Sequence, residues 1–189
     1  MLDNRKKWNF RYRREGFYLG QAPSSFLADH IQMVLTLSPG RKALDIACGE
    51  GRNSIFLARK GFTVTGLDIS EEGLVKGEEW AKCEGLKVAF HCVDLESFEL
   101  MERYDLIINF NFLLRDLIPK MIEALNPAGM LLFDSILNVP SLEGSHNKVF
   151  LLEPGELRKI FDRFSGEVIH YEEITSGPMP NARLIFRKE

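Results

Sequence analysis

Cysteine is scarce in this chain: Cys48, Cys83 and Cys92 are three among 189 residues, an odd number with no C-x-x-C pair. That argues against a disulfide scaffold or a zinc ribbon and fits a reducing compartment. Histidine is nearly as rare, and His30, His91, His146 and His170 lack the spacing of metal ligands, so no metal site is expected. No run approaches the roughly 18 apolar residues that a membrane span requires, and no apolar stretch follows the basic residues near the start. Positive charge is not in surplus either: the formal net charge is -3. Neither nucleic acid nor an anionic membrane is an expected partner. Internal repeats, low-complexity segments and a G-K-[ST] phosphate loop are also missing. The expectation is a soluble cytoplasmic protein, monomer or homodimer.

What is present is a hydrophobic content of 45%, enough for one well-buried α/β core and too little chain for two domains of ordinary size. The pattern alternates strand and helix. Strands are predicted at 43–47, 63–68, 87–92, 104–110, 130–136, 167–172 and 183–187, and helices at 22–37, 52–60, 71–84, 117–125 and 154–164. The inner strands are nearly continuous apolar runs, as in strands covered on both faces. Residues 96–103 suggest a short helical turn, and 138–152 is the longest stretch without a period. Only 175–181 separates the last two strands, too little for a helical crossover, so the sheet should end in an antiparallel pair. Residues 1–20 interleave Arg5, Lys6, Lys7, Arg11, Arg13 and Arg14 with Trp8, Phe10, Tyr12, Phe17 and Tyr18. They read as a flap whose aromatics cover the core while its charges are solvated.

Residues 43–70 are the organising stretch. A buried strand leads into a glycine turn, a helix starts at once, and the next strand ends at Asp68. Glycines let backbone approach a ligand, a helix N-terminus offers free N–H groups, and a strand-end acid can accept both ribose hydroxyls. Against a nicotinamide dinucleotide, Ser54 replaces the third glycine of G-x-G-x-x-G, and Asp45 would set a negative charge near the pyrophosphate. An acid beside the turn suits a ligand with a cationic end, such as S-adenosylmethionine.

DIACGEGRN (45–53) followed by LDIS (67–70) resembles the first two motifs of the class I, Rossmann-like S-adenosylmethionine-dependent methyltransferases. WNFRY (8–12), L-D-x-x-C-G-x-G-R-N (44–53) and LEPGEL (152–157) are similar to the small tellurite-resistance and thiopurine methyltransferases. The resemblance implies a seven-stranded sheet, mostly parallel with an antiparallel last strand and helices on both faces. It implies one structural domain, with residues 1–40 a flap and helix covering the active site and 41–189 the methyltransferase domain proper. Asp45, Ala47, Gly49 and Gly51 would border the methionine part of the cofactor. Asp68 would accept the ribose hydroxyls, Ile69 pack on adenine, Asp94 take the adenine amino group and Leu95 offer its N–H. Asn109 and Phe110 would lie near the sulfonium.

The activity so implied is methyl transfer to a small-molecule acceptor, such as a thiol or metalloid oxyanion, leaving S-adenosyl-L-homocysteine. Acceptor-side candidates are Trp8, Arg11, Tyr12, Asn111, Phe112, Arg115, His146 and Asn147, with Glu172 and Glu173 reaching in from the sixth strand. NFNF (109–112) lacks the two prolines of amino-group methyltransferases acting on nucleic acid or protein. Cys48 reads as a small residue fitted into the turn. A second reading is a non-catalytic S-adenosylmethionine-binding sensor or partner subunit; a third is a nicotinamide oxidoreductase.

Overall fold

The computed structural model describes residues 2–142, 147–177 and 179–189. It contains, among the described residues, strands β1 (Lys42–Ile46), β2 (Thr63–Asp68), β3 (Val88–Cys92), β4 (Tyr104–Phe110), β5 (Leu125–Ile136), β6 (Gly166–Ile174) and β7 (Asn181–Lys188). The helices are α1 (Leu2–Tyr12), α2 (Ser25–Leu37), α3 (Arg52–Arg59), α4 (Glu71–Cys83), α5 (Leu117–Glu123) and α6 (Glu156–Phe161). Strand order is β3-β2-β1-β4-β5-β7-β6. The β1–β2, β2–β3 and β4–β5 pairs are parallel, and β7 runs antiparallel to both its neighbours. The α/β class, the seven strands and the closing antiparallel pair are as expected. Among the described residues no helix is long and apolar enough to cross a membrane.

Two compact units make up the chain: Met1–Thr36 with Gly40–Glu99, and Leu37–Pro39 with Leu100–Glu189. In the first, Ala43, Leu44 and Ile46 of β1 are fully buried, as a strand covered on both faces requires. Helices α3 and α4 are the crossovers after β1 and β2. Ile55, Trp80 and Ala81 form a buried cluster, with Phe17 and Phe90 packed against it. In the second, Phe133, Phe161 and Phe186 are fully buried, with Phe161 tilted against Phe186 at 5.5 Å.

Several boundaries differ from the sequence pattern, each for a local reason. Residues 2–12 are helical; this helix is polar over most of its surface, and Asn9 and Tyr12 dock it. Strand β5 begins five residues early, bending through Ala128 at φ 60 with a register shift opposite Tyr104 and Leu106. Helix α6 starts only after Gly155, whose φ of 74 is left-handed. Residues 138–152 hold short 3-10 turns at Pro140–Leu142 and Lys148–Phe150.

Ser70 caps α4, its Oγ accepting from the Gly73 N–H at 3.2 Å and donating to Asn9 Oδ1 at 2.6 Å. Ser70→Ala removes the cap and frees Asn9, and should lower stability by about 1 kcal/mol in urea denaturation.

Candidate functional site

In the first unit the turn after β1 is built from left-handed residues: φ is 53 at Ala47, 58 at Gly49 and 79 at Gly51. Cys48 N–H donates to Leu67 O at 2.9 Å, and Gly51 N–H closes the turn on Cys48 O at 3.0 Å. Gly51 is then the N-cap of α3. Asp45 is 1% exposed and its Oδ2 accepts from Ser54 Oγ at 2.6 Å. Thus the residue standing in for a third glycine holds the strand-end acid to α3. Burial pushes the Asp45 carboxyl up to about 7; the Ser54 bond opposes that, and Asp68 adds to it.

Asp68 is buried at the end of β2. One oxygen accepts from Gly49 N–H at 2.8 Å and the other from Ser70 N–H at 2.8 Å. A single carboxylate therefore joins the glycine turn to the start of α4. Burial pushes it above the ordinary carboxylate range, and its bonds to the Ser70 and Gly49 amides pull the other way. The Ile69 amide acts on this carboxylate as well, and since a carboxylate accepts at about four sites, capacity remains for a ligand hydroxyl. Val93 N–H bonds Asp68 O at 2.8 Å, which sets residues 93–95 beside this acid. Asp94 Oδ1 accepts from Glu96 N–H at 3.1 Å, Leu95 is buried, and Ile69 is half-buried. Residues 95–97 form a single turn, with the Phe98 N–H returning to Asp94 O at 2.9 Å, and 98–103 are irregular.

Tyr12 belongs to the same cluster. It is 6% exposed, stacks on Trp8 at 5.6 Å and meets Tyr18 edge-on at 6.0 Å. A β-carbon at Gly49 would sit 2.6 Å from its hydroxyl. Burial, with Asp68 and Glu50 nearby, pushes its phenol upward, so it stays protonated. Arg11 lies over the Trp8 ring at 4.7 Å. Cys48 faces the same carboxylates: burial and then Asp45 and Asp68 hold its thiol well above its ordinary value, which denies it nucleophilic character.

Sequence reasoning missed several residues that shape this turn. A β-carbon at Gly73 would lie 3.1 Å from Gly49 O, and one at Gly77 would lie 3.2 Å from Glu50 O. Helix α4 thus packs its backbone on the turn through a small-x-x-x-small pair. Phe90 fills the space against Gly51, Gly66 and Gly77. The visible signal was Gly73 and Gly77 four apart on one helix face.

In the second unit, Asn109 is 1% exposed at the end of β4 and its Nδ2 donates to Phe112 O at 2.7 Å. Phe110 is buried. Asn111 is exposed and left-handed at φ 56, its N–H on Asp134 O at 2.8 Å. Arg115 grips both Glu156 oxygens at 2.6 and 2.9 Å, and the Val149 and Leu151 carbonyls at 2.8 Å each. Its guanidinium pins residues 149–151 to α6. Asn147 caps the second 3-10 turn through Val149 N–H at 3.1 Å. Glu172 pairs with Arg183 at 3.2 Å, and Glu173 accepts from Gly155 N–H at 2.6 Å. His146 lies outside the described residues.

A family model described as tellurite resistance protein TehB matches residues 11–177. The probable S-adenosyl-L-methionine-dependent methyltransferase TehB of Haemophilus influenzae (strain 10810) is 34% identical over 85 residues, covering 43% of this chain and 30% of that protein. The crystal structure of TehB from Haemophilus influenzae superposes with a TM-score of 0.72 at 25% identity, over 86% of this chain and 62% of that one. Magnesium protoporphyrin IX methyltransferase from Synechocystis PCC 6803, solved with bound S-adenosylhomocysteine, shares the fold at TM-score 0.73 and 20% identity. It covers 100% of this chain and 99% of that one. This chain therefore matches less than two thirds of its TehB relatives' length.

Proposed function

The chain belongs to the tellurite resistance protein TehB family, and on that premise we propose that it transfers a methyl group from S-adenosylmethionine to a small-molecule acceptor. The observation that carries this reading is the buried Asp68 carboxylate bonded to the Gly49 and Ser70 amides beside a left-handed turn. With Asp45 it makes two buried carboxylates at that turn, an environment suited to a sulfonium and an ammonium and hostile to a pyrophosphate. Asp45, Ala47, Gly49 and Gly51 line the methionine part; Asp68 takes the ribose hydroxyls. Ile69 packs on adenine, with Asp94 on its amino group and the Leu95 N–H beside it. Residues 1–40 cover the site.

The cofactor supplies an electrophilic methyl that moves by in-line displacement, with charge lost as it travels. What the chain contributes is alignment and exclusion of water rather than covalent catalysis. A thiol needs little help from a base at neutral pH, and a metalloid oxyanion needs none. Calorimetric titration with S-adenosylhomocysteine tests the donor half: saturable binding in the micromolar range is expected. Protection by NADH in a thermal shift, with no response to S-adenosylhomocysteine, would overturn the reading. Transfer of labelled methyl, tried on a panel of small thiols and on tellurite, tests the acceptor half: incorporation into at least one of them is expected.

A further inference from the structure

Glu50 stands between the two glycines of the turn and is 6% exposed, an unusual place for a carboxylate. Its Oε2 accepts from Tyr18 N–H at 2.6 Å and its Oε1 from Lys76 Nζ at 3.0 Å. Lys76 rises from α4 between Gly73 and Gly77, the two positions where that helix touches the turn backbone. Its ammonium also donates to Arg14 O at 2.8 Å and Gly16 O at 2.6 Å, so its three protons are matched by three acceptors. Phe17, between these carbonyls and Tyr18, lays its ring 6.0 Å from the same ammonium and 5.0 Å from Trp80.

We propose that Glu50 and Lys76 form a clasp that holds residues 14–18 against the glycine turn, and that they act as positioning residues for the ligand the turn binds. This rests on the methyl-donor reading above. The physical reason is connectivity. Gly49, on one side of Glu50, gives its N–H to Asp68, and Gly51, on the other, starts α3. A displacement of the Glu50 side chain is therefore felt by both anchor points of the turn. On the strap side, Tyr18 is edge-on to Trp8 at 6.4 Å and to Tyr12, whose ring covers Gly49. Holding Tyr18 by its amide thereby sets the aromatic cluster on the turn. Two other ion pairs of residues 1–18 are more exposed: Arg13 to Glu72 at 2.8 Å and Arg5 to Glu71 at 3.9 Å lie at the surface, where ion pairs contribute little.

The test compares wild type, Lys76→Met, Lys76→Arg and, as a surface control, Arg13→Ala, in the full chain. Hydrogen exchange of the Tyr18 amide reports the strap, and calorimetry with S-adenosylhomocysteine reports the turn. Lys76→Met should speed Tyr18 exchange and weaken the ligand about tenfold, the size of an ordinary coupling between two sites. Lys76→Arg should restore part of both, and Arg13→Ala should change neither by more than about twofold. Faster exchange with unchanged affinity would leave the clasp a structural tie only and overturn the proposal, as would unchanged exchange. If Lys76→Met does not fold, Glu50→Gln is read the same way. Should wild type fail to bind S-adenosylhomocysteine, the methyl-donor reading fails and the positioning role fails with it, whereas Tyr18 exchange in Lys76→Met still shows whether the strap is tied to the turn.

Discussion

Asp68→Asn should weaken S-adenosylhomocysteine binding at least about a hundredfold, on the basis that two hydrogen bonds to a charged acceptor contribute roughly 1.5–3 kcal/mol each. The substitution keeps size and shape but turns one acceptor into a donor. In the free protein that donor faces an N–H, either of Gly49 or of Ser70, since each carboxylate oxygen now accepts one of them at 2.8 Å. The variant thus loses some stability, about 1–3 kcal/mol for the amide left unmatched. Binding is measured below the variant's own melting transition, with circular dichroism to show that it is folded. Relief of Asp68's burial works in the opposite direction, because its carboxyl is held above the ordinary range by desolvation. The two readouts therefore part company: a modest change in melting temperature and a large change in affinity. Asp68→Asn that binds as wild type would remove the ribose role from Asp68 and with it the main support for the donor assignment.

The parts of this site visible in the sequence were those carried by near neighbours. Asp45, the left-handed turn to Gly51 and the start of α3 lie within a few residues of each other, and residue type constrains each: apolar strand, glycine at positive φ, acid at a strand end. Asp68 was legible because β2 is a buried run with one acid at its tip. What stayed hidden depends on distant partners. Glu50 looks like any charged loop residue until Lys76, 26 positions on, is placed beside it. Nothing near Arg115 in the sequence shows that its guanidinium bonds Glu156 and two carbonyls more than thirty positions away. Helix α1 escaped because it lacks an apolar stripe. Its attachment is polar and specific, through Asn9 to Ser70, with Tyr12 as its one buried aromatic side chain.

The pH dependence of stability and that of ligand binding should run in opposite directions, and Asp45 is the group that sets them apart. Its carboxyl is pushed up to about 7 in the fold against 3.8 for a free aspartate, because burial disfavours the charge. Between those values the folded chain holds a proton that the unfolded chain has released. Stability therefore falls as pH rises across that window, by about 1.4 kcal/mol for each pH unit from this group. Burial also raises Asp68 and Asp134, which slope the same way, so the informative quantity is the difference from Asp45→Asn. From pH 5 to pH 7, wild type should lose about 2–3 kcal/mol relative to the variant in urea denaturation. A ligand ammonium beside Asp45 reverses the preference, since it favours the ionised carboxylate and expels the proton. S-adenosylhomocysteine should bind more tightly at pH 7.5 than at pH 5.5 in wild type, with proton release visible as a buffer-dependent calorimetric heat, and Asp45→Asn should abolish both. A pH slope of affinity unchanged in Asp45→Asn would move the ammonium away from Asp45, while a stability slope unchanged in Asp45→Asn would mean that Asp45 is already ionised in the fold.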